Sequence, residues 1–195
     1  MKNSIAISLM LSFLSMNAQN DSEEKLPYYQ IPDYPETYTA GTVAARMVDG
    51  LGFRYYWATE GLRAEDLVFK PNEEARSSAE TIDHIYDLSK VIVNATLQKP
   101  NKSTDEPEMS FEEKRKQTLI NIKTAADILR ASLDLSQFNI VFERDNGTSE
   151  FPFWNNLNGP IGDVLWHCGQ IVLLRRSSGN PFNSKASVFT GKVRD

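Results

Sequence analysis

The sequence predicts an all-α fold, a bundle of four long helices with one small β-hairpin ahead of the fourth. Three observations carry that expectation: apolar residues recur at three- and four-residue steps in four separate stretches, two Ser-x-x-Glu capping boxes occur, and one stretch alternates around an Asn-Gly turn. Of 195 residues, 41% are hydrophobic and 24% charged, which suits one ordinary globular domain. Lys and Arg number 21 against 26 Asp and Glu, a net charge of −5, so no positive surplus exists to hold a phosphate backbone, and nucleic acid is not an expected partner. A single cysteine, Cys168, excludes an intrachain disulfide framework and a cysteine-rich zinc module. Neither G-x-G-x-x-G, a Walker loop nor G-x-S-x-G occurs, which leaves nucleotide-binding and serine-hydrolase motifs without support.

The chain opens with Lys2 and an apolar run from Ile5 to Leu14, followed by small and polar residues through Ala18 and Gln19. That pattern predicts a signal peptide over residues 1–19 and an exported protein, periplasmic or extracellular. The run is too short to cross a bilayer of ~30 Å, and no later stretch approaches ~18 apolar residues, so stable membrane insertion is not expected. Asn94, Asn101 and Asn146 each begin a glycosylation sequon. Residues 20–39 carry Pro27, Pro32 and Pro35 among Tyr28, Tyr29, Tyr34 and Tyr38, and read as an extended arm whose rings lie against the domain with wet hydroxyls.

The first long helix runs from about Ala40 to Thr59, with Ala44, Met47, Val48, Leu51, Tyr55 and Ala58 on one stripe. Gly50 and Gly52 weaken it and mark either a close backbone approach or a bend. The second ends near Leu97 and is apolar on two sides, with Ile82, Ile85, Tyr86, Ile92 and Val93 on one and His84, Leu88, Val91 and Ala95 on the other. Its start is open between the box at Ser77-x-x-Glu80 and an N-cap at Asn72. A polar connection, Gln98 to Met109, is long enough to run the length of a bundle. The third helix begins at the box Ser110-x-x-Glu113 and continues through Leu119, Ile122, Ala126 and Leu129 to about Leu133. Phe138, Ile140 and Phe142 before Asp145-Asn146-Gly147 predict the hairpin. Gly159-Pro160 starts the fourth helix, Val164, Leu165, Cys168, Ile171 and Val172 face its core, and Gly179 and Pro181 stop it after Ser177. Residues 182–195 read as a loosely attached tail.

His84 and His167 are the only histidines, and both fall on interior lines of long helices. Asp163 and His167, four residues apart, share one helix face and are able to chelate one ion. With His84 they would supply two nitrogens and one carboxylate, leaving positions open as in a catalytic or substrate-binding site. The alternative is two core histidines satisfied at i,i+4, His84 by Glu80 and His167 by Asp163. Asp83, Asp87 and Gln170 are candidates to orient the imidazoles, and Cys168 points ~100° away from His167 around the helix, too far to form a dyad with it.

These residues resemble the DinB-like and YfiT-like family of metal-dependent enzymes. That family carries a metal-binding histidine on its second helix, where Ala79-Glu80-Thr81-Ile82-Asp83-His84-Ile85 places His84. Its fourth helix carries a pattern close to H-x-x-x-H-R-G-Q, written here as Asp163-Val164-Leu165-Trp166-His167-Cys168-Gly169-Gln170 and followed by Arg175 and Gly179. Similarity extends over residues 40–181, with Asp163 in place of a histidine and Cys168 in place of an arginine. The resemblance implies an up-down-down-up four-helix bundle with a long crossover between helices 2 and 3. It thereby makes the second and fourth helices antiparallel, which favours the earlier helix start near Asn72. It also implies a divalent ion, Zn, Ni, Fe or Mn, at His84, Asp163 and His167. The function expected is an exported metal-dependent hydrolase or transferase acting on a small molecule, with hydrolase-like chemistry preferred because export removes a cytosolic thiol cosubstrate. The alternative is a non-catalytic binding or structural bundle in which Trp57, Trp154 and Trp166 line a pocket or interface. Homodimerisation is left open.

Overall fold

The computed structural model describes residues 25–103, 105 and 107–195. The leader expected at residues 1–19 lies outside them. Of the described residues 53% are helical, with a small sheet. In chain order the elements are α1 (Ala40–Thr59), α2 (Ala64–Val68), α3 (Ser78–Thr96), β1 (Asn101–Lys102), α4 (Phe111–Ala131), β2 (Ile140–Arg144) and β3 (Gly147–Phe151). Then come α5 (Trp154–Asn156), a π-helical turn over Leu157–Ile161, α6 (Gly162–Ser177), β4 (Ala186–Ser187) and β5 (Lys192–Val193).

Each long helix packs on two others: α1 on α4 and α6, and α3 on α4 and α6. The apolar stripes meet in one core in which Leu51, Tyr55, Ile85, Ile92, Leu119, Ile122 and Ile171 are wholly buried. Gly41 of α1 lies against the carbonyls of Leu129 and Ser132, and Arg115 at the other end of α4 reaches Thr59, so α1 and α4 run in opposite senses. Asp83 meets Lys114 and Ser89 meets Asn121, so α3 and α4 run in the same sense. Ser178, beyond α6, bonds Asp66 of α2, which packs against α3, and His84 meets Asp163; α6 is therefore antiparallel to α3.

The start of α3 differs from the expectation of Asn72. The Ser77 hydroxyl accepts from Glu80 N and the Glu80 carboxylate accepts from Ser77 N, so the reciprocal box satisfies two otherwise orphaned donors at that point. Asn72 instead caps an isolated turn through Glu74 N and Ala75 N. The fourth helical stretch starts earlier than expected, at Trp154, and is interrupted at Gly159 (φ −88°, ψ −107°) and Pro160, which has no N–H to donate. α4 stops at Ala131, which leaves Leu133 outside the core stripe and 86% exposed.

The hairpin forms as expected, with Ile140 opposite Phe151 and Arg144 opposite Gly147. A strand not anticipated, β1, adds in parallel to β2 with Asn101 opposite Phe142. The tail is also attached rather than loose. Ala186 joins Ile31, Phe53 and Trp57 in a second apolar cluster, and Ile31 N donates to Gly191 O at 2.8 Å, so the arm and the tail hold one another over α1. Within the arm, Tyr28 departs from the wet-hydroxyl expectation. Its ring covers Gly52, where a β-carbon would collide with it, and its buried hydroxyl donates to Asp49, which pairs with Arg130 at 2.6 Å.

Gly41→Ala drives a β-carbon into helix backbone that cannot yield and should cost about 3 kcal/mol in urea unfolding. Gly169→Ala, with nothing within 4 Å of the added carbon, should gain up to ~1 kcal/mol from helix propensity. The carboxylate of Asp66 is wholly buried and accepts from Arg63, Ser178 and Asn180, with Arg63 the main cause holding it well below the usual carboxylate range. The folded state therefore binds fewer protons than the unfolded chain, so this stabilisation is complete above an ordinary Asp pKa of about 4 and is lost as pH falls below it. Equilibrium unfolding of Asp66→Asn should show a lower plateau near neutrality and a flatter decline below about pH 4.

Candidate metal centre

His84 sits twelve residues before the end of α3, and His167 sits thirteen residues after Trp154. The turn over Leu157–Ile161 packs on α3 as α6 does, and the antiparallel pair carries the two histidines to one level, with their ring centroids 4.9 Å apart. Ile85 beside His84 and Val164 beside Asp163 are wholly buried, which fixes the rotation of each helix about its axis.

Asp163 lies between the two rings and uses a different oxygen towards each. His84 Nε2 is 3.3 Å from its Oδ2, and His167 Nε2 is 3.3 Å from its Oδ1. The ring centroids are 4.9 Å apart and nearly perpendicular, at 84°. One ligand atom from each of the three residues falls within 4.8 Å of the others, so the group could hold a metal ion, and it is the one such group of three among the described residues. Donors at ~2.1 Å from a tetrahedral ion stand ~3.4 Å apart, close to the two distances observed. His167 is buried, whereas His84 and Asp163 keep 34% and 45% of their side-chain surface, so one side of the cluster is open to solvent.

His167 Nδ1 lies 2.6 Å from Gln170 Oε1, one turn further along α6. A carboxamide oxygen only accepts, so Nδ1 is the donor of this contact and Nε2 is the ring nitrogen turned towards Asp163. Gln170 is thus the orienting partner among the three candidates. The other two are engaged elsewhere: Asp83 with Lys114 at 2.6 Å and Asp87 with Lys90 at 3.0 Å. Glu80, the alternative partner of His84, is used by the α3 capping box.

Cys168 is buried among the core side chains, and burial pushes its thiol up to about 12. The tryptophans are dispersed. Trp57 is buried against Tyr29 and Tyr56, Trp154 is exposed beside α1, and Trp166 is exposed on the outer side of α6. Among the described residues no helix is long and apolar enough to cross a membrane.

No family model matches the chain, and comparison with curated proteins and with solved structures likewise finds no match.

Because Cys168 is both enclosed and protonated near neutrality, alkylation by iodoacetamide at pH 8 should run at least about a hundredfold slower in the folded protein than in denaturant, read by mass spectrometry.

Proposed function

We propose that the chain is an exported metal-binding protein of the DinB-like kind, an up-down-down-up four-helix bundle whose His84, Asp163 and His167 hold one divalent cation and act on a small molecule. The convergence of the only two histidines on the two oxygens of one aspartate carries this reading. The senses of the four long helices support the bundle topology. Lys2 and the apolar run after it support export. The residues suit zinc, nickel, iron or manganese, since imidazole and carboxylate are good ligands for these borderline ions.

A bound ion would supply Lewis acidity towards a carbonyl or phosphoryl oxygen, or towards water. The chain's own residues do the rest. Asp163 balances one positive charge of the cation and holds the two imidazoles at a common point. Gln170 fixes the tautomer of His167, so its Nε2 needs no reorganisation to bind. The exposed side of His84 and Asp163 leaves room for a substrate to approach. Hydrolysis is the reaction class we favour, with group transfer the other.

Metal-free protein titrated with Zn²⁺, Ni²⁺ or Mn²⁺ should take up one ion per chain, and at a hundred times the dissociation constant should gain about 2.7 kcal/mol of stability. His84→Ala, Asp163→Ala and His167→Ala should each lower the affinity by a hundredfold or more. Retention of stoichiometric divalent metal by His84→Ala would sink the proposal.

A further inference from the structure

A groove of about 600 Å³ opens between the start of α1, the turn after α4 and the segment that leads into α6, and none of the cluster residues His84, Asp163 and His167 lines it. Its walls include Val43, Met47, Leu133, Phe153 and Trp154, several of them unusually exposed for their type: Leu133 is 86% and Trp154 75% accessible. The volume suits a small organic ligand, and apolar surface left open in this way is what such a ligand would cover.

The charge of the groove narrows the ligand class. Asp134 is the one charged residue among those lining it, and neither lysine nor arginine lines it. The Asp134 carboxylate accepts from Ser136 N at 2.9 Å and from Ser136 Oγ at 2.8 Å, bonds that hold it below the usual carboxylate range and so keep it anionic near neutrality. Two helix ends also open here, the positive N-terminal end of α1 and the negative C-terminal end of α4, and their half-charges offset each other. Among the residues lining the trough the one fixed charge is the Asp134 carboxylate, and Arg46, in the adjoining hollow beyond Val43 and Met47, is engaged by Pro32 O and the Tyr34 ring. A fatty carboxylate would meet repulsion there, whereas an amine would find a counter-ion.

We propose that this groove binds a lipophilic organic cation, an ammonium group on an alkyl or ring body, with the body against Val43, Met47, Leu133 and Trp154 and the cationic end at Asp134. The site is separate from the histidine cluster and stands whether or not that cluster holds a metal.

Calorimetric titration of the chain with n-octylammonium, 1-octanol and octanoate, matched in length, tests both halves of the idea. Octylammonium should bind once per chain, about tenfold more tightly than octanoate, with octanol between them. Asp134→Asn, which keeps an acceptor for Ser136, should retain octanol affinity and erase most of the preference for the cation. Met47→Trp should fill the trough and abolish binding of all three with an unchanged melting temperature, while His84→Ala should leave all three affinities unaltered. The proposal is overturned by octanoate binding as tightly as octylammonium, by an unchanged preference in Asp134→Asn, by the absence of saturable binding, or by a concentration-dependent dimer that closes the groove to all three probes.

Discussion

Asp163 stands between two imidazoles that approach it from different helices, and that arrangement exists only in one register of α3 against α6. A slide of one residue along either helix moves a ligand atom by about 1.5 Å and turns it by about 100°, enough to destroy the convergence. The local signals that set the register lie well away from the histidines. Ser77 and Glu80 fix where α3 begins, and the helical stretch from Trp154, with its break at Gly159 and Pro160, fixes how far α6 has advanced when it passes His84.

Polar contacts at the far end of the molecule hold that register. Arg175 donates to the carbonyls of Trp57 and Ala58 at 3.0 Å, satisfying acceptors in the last turn of α1 from within α6. Asp66, in α2, gathers Arg63, Ser178 and Asn180 around one buried carboxylate. These bonds tie the C-terminal end of α6 to α1 and α2, while the interlocked arm and tail cover the outer side of α1. The histidines are therefore carried on helices whose ends are anchored, which suits a site that must be in place before its ligand arrives.

The charge of the cluster is set by its one carboxylate. Two neutral imidazoles and a carboxylate carry one negative charge, which a divalent ion would more than neutralise, leaving a positive centre beside open solvent. A third histidine would leave that centre with its full double charge and a stronger Lewis acid. Aspartate also offers two oxygens, and both are used here, one towards each ring. Cys168, next to His167 in the chain, packs in the core.

The extent of α1, the start of α4, the hairpin at Asn146-Gly147, and the nomination of His84, Asp163 and His167 were legible in the sequence, because caps, turns and apolar periods are local and act within a few residues. The competition between Asn72 and Ser77 was local too, and the reciprocal box of Ser77 with Glu80 settles it, while Asn72 caps a separate turn. The attached tail, the buried hydroxyl of Tyr28 and the lysine partners of Asp83 and Asp87 were out of reach, since each depends on what a distant segment presents across the interface. The sequence by itself determined which residues carry ligand chemistry and on which helical faces they lie. Tertiary structure alone decided that they meet, because the level at which two helices pass each other is set by long-range packing and end contacts, and periodicity along a chain carries no information about that level.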